Sequence, residues 1–567
     1  MPAANLRTPG AMTTRARIVY TAARAFVLAF GVMALWLARD GLNPDGVAYL
    51  DASDQFLAGR WPASGTGYWS PLYPTLLAIA RLVGGTSPAR ELAIAHAVNL
   101  VVFLLAFGAL ELLLRSLRSA TVAREPAAEP NAISWAVLVY AAFAIVTVGW
   151  TLMWIVTPDL VVIAIVLAAS AVSIRMARGN GRWGSAIALG LLLGVGYLAK
   201  AVLLPVGLVM LATLAVVMRR RQGLALAAVA AGLLVAVSAP QIAYVSRIKG
   251  DPTFSDVGRL NYLWYVADVP GPVSSTFPLP ARLPSPTGRG QTLATLGPAD
   301  AHPAVYDIDA PIPGTLPVWY DAGYWYRGVV APLRPLAIVR AIVRHLRVYL
   351  EMLALLLAGG AAAAFAGPVS RRALRALRPE PLLVIPALAA LAMYALVLVQ
   401  TRYVAPFVLM LLLGLVPPWA VDDLSRRLRT GFATGALIAL ALVAHQTRVD
   451  ATYWQGSAQA RTNVVAALAA RGVTPGTRLG FVGEAYDALW AREARLRFVS
   501  VVPRPEAASF WALDPNDRAR VLARMRAQGA AAVVAEAPAL GIDTTGWVAL
   551  PSAGVPSAKL MVYEGFR

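Results

Sequence analysis

Residues 182–221 read RWGSAIALGLLLGVGYLAKAVLLPVGLVMLATLAVVMRRR. Two apolar runs, 184–199 and 201–218, are separated by the single cation Lys200 and closed at both far ends by arginine. A segment needs roughly 20 mostly apolar residues to cross a bilayer, so the stretch predicts two consecutive transmembrane helices. Cytoplasmic loops keep their Lys and Arg. Arg182, Arg219, Arg220 and Arg221 therefore mark the inner face, and Lys200 marks a short turn on the outer one.

The same pattern extends over most of the 567 residues, of which 58% are hydrophobic and 14% charged, with a mean hydropathy of +0.62. Apolar runs near 18–38, 91–114, 132–151, 159–177, 184–199, 201–218, 223–245, 347–366, 381–399, 403–421 and 430–447 predict about eleven spans. Arg15, Arg17 and Arg24 stand at the start of the first, and Arg115, Arg118 and Arg124 follow the second. Arg175 and Arg178, then Arg371, Arg372, Arg375 and Arg378, then Arg426, Arg427 and Arg429 fall on the same side. The N-terminus is thus expected in the cytoplasm, with residues 1–17 as a tail. An odd number of spans puts the C-terminus outside, with 39–90, the turns near 152–158, 200 and 400–402, and the long segment 246–346. The first run lacks the A-x-A-like end of a cleaved signal peptide and is read as a span.

The formal charge of +20 resides largely in these topology clusters, so no nucleic-acid partner is implied. The absence of cysteine excludes disulfides, thiolate zinc, iron–sulfur clusters and a cysteine nucleophile. The four histidines, His96, His302, His345 and His445, show no H-x-x-x-H spacing, which argues against a histidine-built metal centre. A divalent cation held by carboxylates stays open, and no other cofactor is expected.

From about residue 455 the pattern becomes that of a small α/β domain. Strand-length runs RLGFVGE (478–484), RFVSVV (497–502), AAAVVAE (530–536) and KLMVYEG (559–565) alternate with helical segments 461–471 and 514–528. No G-x-G-x-x-G or Walker loop offers a nucleotide site, so an interaction or stabilising role is the default. The fold class read from the whole is a mostly α polytopic membrane protein of about eleven helices with this extracytoplasmic α/β domain, 455–567, behind it.

Charged residues at the outer ends of spans carry the chemistry. The first outer segment reads Asn43-Pro44-Asp45-Gly46-Val47-Ala48-Tyr49-Leu50-Asp51-Ala52-Ser53-Asp54, then Gly59-Arg60-Trp61, then Tyr68-Trp69-Ser70-Pro71-Leu72-Tyr73-Pro74. A carboxylate there can take the proton of an acceptor hydroxyl as general base, and Asp45 lies nearest the span. Asp51 and Asp54 read instead as the wet face of an interfacial helix over 46–58. Thr157-Pro158-Asp159 opens the fourth span, where Asp159 is either functional or part of a helix cap with Thr157. Lys200 and Arg402, in Gln400-Thr401-Arg402-Tyr403, either snorkel to headgroups or hold a lipid phosphate. Two acids and two cations from separate turns on one face favour a phosphate-binding cavity. The dense run Trp319-Tyr320-Asp321-Ala322-Gly323-Tyr324-Trp325-Tyr326 suits sugar stacking better than a scattered interfacial belt does.

These elements together resemble the GT-C superfamily of membrane glycosyltransferases over roughly 18–450. The likeness is to its bacterial family 39-like branch of aminoarabinose transferases, lipopolysaccharide-core sugar transferases and protein O-mannosyltransferases. Asp45, in D-x-x-x-Y-L-D-x-A, looks like the family's catalytic base. Pro71-Leu72-Tyr73-Pro74 is similar to its Pro-Pro-Leu-Tyr element, with Ser70 replacing a proline. Thr157-Pro158-Asp159 looks like its second acidic element, Leu198-Ala199-Lys200 like its lysine element, and Arg402-Tyr403 with Pro406 like its Arg-Tyr-x-x-Pro element. Gly46 follows Asp45 where the family often carries Asp-Glu, so an ion site of two adjacent acids lacks its second acid.

The resemblance implies an inverting glycosyltransferase in the bacterial inner membrane. It would take a sugar from a polyprenyl-phosphate donor to a lipid, glycan or protein acceptor, with Asp45 catalytic and Asp159, Lys200, Arg402, Tyr73, Tyr320, Asp321 and Trp325 binding substrate. The rivals are a transporter or flippase of lipid-linked sugars and a non-catalytic envelope scaffold. Charges at span ends and the lack of half-to-half symmetry weigh against a transporter.

Overall fold

A computed structural model describes residues 14–60, 66–124, 132–180, 182–219, 221–269, 303, 305–326, 329–365, 379–415, 426–539, 541–551 and 559–565. Trp61, His302, Arg220 and the cluster Arg371, Arg372, Arg375 and Arg378 lie outside them, as do the tail 1–13 and positions 416–421 of the tenth predicted span.

The chain is mostly helical. It runs through α1 (Thr14–Leu37), α2 (Pro44–Leu57), α3 (Leu72–Gly84), α4 (Pro88–Arg124), α5 (Ala132–Ala144, continued by a π-helical turn Ile145–Trp150), α6 (Asp159–Arg175), α7 (Trp183–Ala199), α8 (Leu203–Met218), α9 (Arg221–Lys249) and α10 (Val257–Tyr265). There follow β1 (Tyr306–Asp307), α11 (Pro317–Tyr320), α12 (Ala322–Trp325), α13 (Pro335–Phe365), α14 (Pro381–Ala395), α15 (Thr401–Leu415) and α16 (Arg426–Ala469). Last come β2 (Arg478–Gly483), α17 (Trp490–Glu493), β3 (Arg497–Pro503), α18 (Arg504–Ala512), α19 (Pro515–Ala527), β4 (Ala532–Glu536), β5 (Trp547–Ala549) and β6 (Leu560–Tyr563).

Each predicted apolar run falls on a helix: α1, α4 to α9, or α13 to α16. Among the described residues Arg17–Leu37, Pro88–Ser119, Asp159–Gly179 and Arg221–Lys249 are each long and apolar enough to cross a membrane. Their outward faces, and those of neighbouring helices, expose large apolar side chains such as Trp36, Leu105, Val235 and Leu437, a surface suited to lipid and not to water. Helix α6 is central, with 72% of its apolar stretch buried against 33% for those of α1 and α9. Small residues let helices approach closely in such an environment. A Cβ on Gly190 of α7 would stand 2.5 Å from the Ala230 carbonyl of α9, and one on Gly194 would stand 2.6 Å from Val237. Half-buried charges pair within the bundle: Arg24, inside α1, binds Glu111 of α4 at 2.6 Å, and Arg178 binds Glu380 at 2.8 Å.

The six-stranded sheet has the order β1-β3-β2-β4-β6-β5. Strands β3, β2 and β4 are parallel neighbours, with Phe481 opposite Val501 and Val534. Strands β6 and β5 extend the sheet antiparallel beyond β4. The four expected strands are present, and β5 and β1 are additions that the apolar runs did not reveal. Strand β1 comes from the long segment between α9 and α13 and pairs antiparallel with β3, Tyr306 against Val501. One apolar core joins Ala52 of α2, Leu260 and Trp264 of α10, Tyr320 and Trp325 to Phe481, Phe498 and Val534 of the sheet. Helix 461–471 is no separate element: α16 runs unbroken from the membrane bundle to Ala469, carrying the sheet on its far end.

Candidate active site

The turn that opens α2 is built around contact with the chain segment 151–158. Asn43 precedes the helix in an extended conformation, and its side-chain oxygen accepts the Val156 N–H at 3.0 Å. Pro44 takes the first helical position, where its missing N–H costs nothing. At Gly46 a Cβ would lie 2.8 Å from the Asn43 oxygen and 2.9 Å from Val156 Cβ, so the two segments can meet only because this residue has no side chain. A carboxylate side chain at this position has no room. Segment 151–158 is held from the other side by Asn99 of α4, whose amide donates to the carbonyls of Met153 and Ile155 at 3.0 and 2.9 Å.

This arrangement brings Asp45, Asp159, Lys200 and Arg402 together. Arg402, in the first turn of α15, donates to Asp45 Oδ2 at 2.5 Å and reaches within 3.9 Å of Asp159 Oδ2. Lys200, in an extended conformation between α7 and α8, donates to Asp159 Oδ1 at 2.5 Å. Tyr403 joins the two cations: the Lys200 ammonium lies 3.8 Å from its ring centroid, the Arg402 guanidinium 4.8 Å, and Arg402 also donates to its hydroxyl at 3.0 Å. The helix-cap alternative for Thr157 and Asp159 does not hold. The Thr157 hydroxyl donates to Asp159 Oδ2 at 2.9 Å, and neither side chain caps an amide of α6.

The four residues line one cavity of about 400 Å³. Its polar end carries these charges; Val202, Pro205, Met393, Tyr394, Val397 and Leu398 form an apolar wall. Tyr68, Trp69, Arg259 and Asn261 also line the cavity. Of these, Tyr68 and Trp69 are visible in the first outer segment. Arg259 and Asn261 lie on α10, a short helix in a segment whose fold gave no periodic signal, and sequence reasoning missed them. Tyr394 was hidden within an apolar run.

The structure does not bring the other predicted binding residues to this cavity. Tyr73 is fully buried and donates to Asn99 at 2.7 Å, so it fixes α3 against α4. Tyr320 and Trp325 belong to the core shared with the sheet. Asp321 accepts from Lys249 at 3.0 Å and from the Tyr324 amide, and burial raises its carboxyl despite Lys249. The aromatic run 319–326 was read as a stacking surface, but its rings fill a protein core: Trp319 meets Tyr486 edge-on at 4.8 Å, and Trp69 donates to the Trp319 carbonyl at 3.0 Å.

Asp51 and Asp54 are also corrected, because α2 is covered and has no wet face. Arg492 of α17 binds Asp51 at 2.6 Å, Asp54 at 2.5 Å and Glu91 of α4 at 2.5 Å. Arg81 and Arg495 complete the cluster with Asp54 and Glu91 at 2.8 to 3.1 Å. Burial pushes the Asp51 carboxyl up against the pull of Arg492 and Thr315. Burial acts on Asp54 as well, but Arg492, Arg81 and Arg495 hold it below its ordinary value. Three carboxylates and three guanidiniums thus clamp the helix that bears Asp45 to the sheet.

For a divalent cation the fit is poor. Among the described residues no group of three or more His, Asp or Glu side chains gathers to hold a metal. The two cavity carboxylates already bind Arg402 and Lys200, so no step is routed through a metal.

No protein-family model matches the chain, and no curated protein matches it in sequence. Among solved structures it is similar to ArnT from Cupriavidus metallidurans in the apo state, at 15% identity and a TM-score of 0.42, over 95% of this chain and 98% of that one. It is similar to the same protein bound to undecaprenyl phosphate, at 15% identity and 0.44, over 96% and 99%. It is also similar to the oligosaccharyltransferase of Archaeoglobus fulgidus in complex with Zn and sulfate, at 15% identity and 0.48, over 91% of this chain and 68% of that one.

Proposed function

We propose that the protein is a membrane glycosyltransferase that moves a sugar from a polyprenyl-phosphate donor to an envelope lipid, glycan or protein, on the extracytoplasmic face of a bacterial inner membrane. The observation that carries this reading is the convergence of Asp45, Asp159, Lys200 and Arg402 on one cavity with an apolar wall. A lipid-linked donor needs a place for a charged phosphate beside a place for hydrocarbon, and this cavity offers both. Lys200 and Arg402 would take the phosphate, sharing with it the charge they now give to Asp159 and Asp45.

In the reaction the bond from sugar C1 to the phosphate oxygen breaks, and its electron pair leaves with the phosphate, where the two cations stabilise it. The acceptor oxygen attacks C1 from the opposite face, inverting it, and its proton passes to Asp45. Asp159 holds Lys200 in place. The eleven helices that carry the apolar runs all cross the bilayer in this reading, with the N-terminus inside and the cavity and sheet outside.

The test compares envelope lipids and glycans by mass spectrometry in cells carrying the wild type, a deletion, or Asp45→Asn at equal level. Loss of one sugar in both altered strains, with accumulation of its polyprenyl donor, is expected. A deletion phenotype that Asp45→Asn fully rescues would remove Asp45 as the base and favour transport.

A further inference from the structure

A second cavity lies at the carboxyl ends of the parallel strands. The chain leaves β2 for β3 on one side and comes back to β4 on the other, so the connections diverge there. In open α/β sheets such a divergence opens a crevice where ligands bind. Gly483 ends β2 with φ +136°, and a Cβ there would stand 2.5 Å from Glu536 Cδ. Glycine therefore lets Glu536 of β4 reach across and accept the Glu484 N–H at 3.0 Å. Arg504, opening α18, donates twice to Glu536, at 3.1 and 2.7 Å. With Asp487, the floor is three carboxylates around a guanidinium. These groups border a space of about 270 Å³ that Tyr453 and Trp454 of α16 also line.

We infer that this cavity binds one pyranose ring of a glycan, at a site distinct from the membrane cavity. Carboxylates only accept hydrogen bonds and a sugar is rich in hydroxyl donors, while Arg504 supplies donors for the sugar's oxygens. Tyr453 and Trp454 stand edge to face at 4.9 Å, so the flat side of one of the two rings suits the C–H face of a sugar. The volume is close to the roughly 300 Å³ at the lower end of ligand pockets, which fits a single ring better than a chain. Arg461 also lines the space but is bound by Glu493 at 2.6 Å, so a phosphate would meet three carboxylates and two guanidiniums already paired with acids. A cation would meet Arg504, and no metal-binding group of acids is found here among the described residues. The wall includes Pro44, the neighbour of Asp45, so the two cavities flank the same helical turn. That this ring belongs to the acceptor rests on the transferase reading; the binding itself does not.

Full-length protein in lipid nanodiscs free of glycosidic detergent is titrated with glucose, galactose, mannose and N-acetylglucosamine, read by saturation-transfer NMR and tryptophan fluorescence. We expect saturable binding of at least one, with Kd on the order of 1 mM. Asp487→Ala and Tyr453→Ala, both at exposed side chains, are expected to weaken it about tenfold or more, and Arg402→Ala to leave it unchanged. No saturable binding of any of the four sugars would overturn the inference. So would binding lost in Arg402→Ala but kept in Asp487→Ala. A protein that binds sugar here yet transfers none would count against the transferase reading alone.

Discussion

Gly46 does more for the cavity than its lack of functional groups suggests, since it admits segment 151–158 to the turn that carries Asp45. Gly46→Ala is expected to cost about 1–3 kcal/mol of stability, as overpacking does, and to lower transfer with it; equal melting temperature and turnover to the wild type would refute this contact's role. Asp45→Asn keeps the shape and removes the proposed base, so transfer by purified protein is expected to fall roughly 10²–10⁴-fold with donor binding retained. Arg402→Lys keeps the charge but loses the fork that reaches Asp45 and approaches Asp159. Its signature is a raised KM for the donor, measured with a polyprenyl-phosphate sugar. The four charged residues were legible in the sequence because a charge at the end of an apolar run has few structural reasons to be there. Tyr320 and Trp325 were not, because an aromatic ring fills a core as readily as it stacks on a sugar.

At the scale of helices, Lys200 depends on how closely α7 lies against α9. Gly190→Leu would force α7 away from the Ala230 carbonyl, and is expected to reduce transfer while leaving the membrane-inserted amount of protein unchanged. Activity assays beside quantitative blotting check this, and full activity would show that α7 can shift without moving Lys200. The helices themselves were readable from length and hydropathy alone. Their ends were less so: α16 was taken as two pieces because its composition turns polar near residue 455, yet helical hydrogen bonding continues regardless of what surrounds it. Helix α2 misled in the opposite sense. Its acids suggested water, whereas arginines more than 400 positions away cover them.

Across the whole molecule, the clamp of Asp51, Asp54 and Glu91 with Arg81, Arg492 and Arg495 adds an ionic tie between membrane helices and the α/β part to the shared apolar core. Arg492→Ala leaves buried carboxylates without their main partner, and a loss of about 3–5 kcal/mol is expected, seen as a lower melting temperature in nanodiscs; a change under about 1 kcal/mol would mean that the cluster behaves like surface charge. No local pattern could have shown this joint, because every pair in it that involves Arg492 or Arg495 is distant in sequence. Strand β1 is a similar case, since its partner β3 belongs to the last part of the chain. During synthesis at about 5–20 residues per second, on the order of 10 s or more separates the emergence of β1 from that of β3. Until residues 492–503 have left the ribosome, β1 has no partner strand and the acids of α2 lack Arg492 and Arg495. A chain interrupted before that point has its membrane helices but lacks the sheet that covers α2, and that uncovered side is open to proteases.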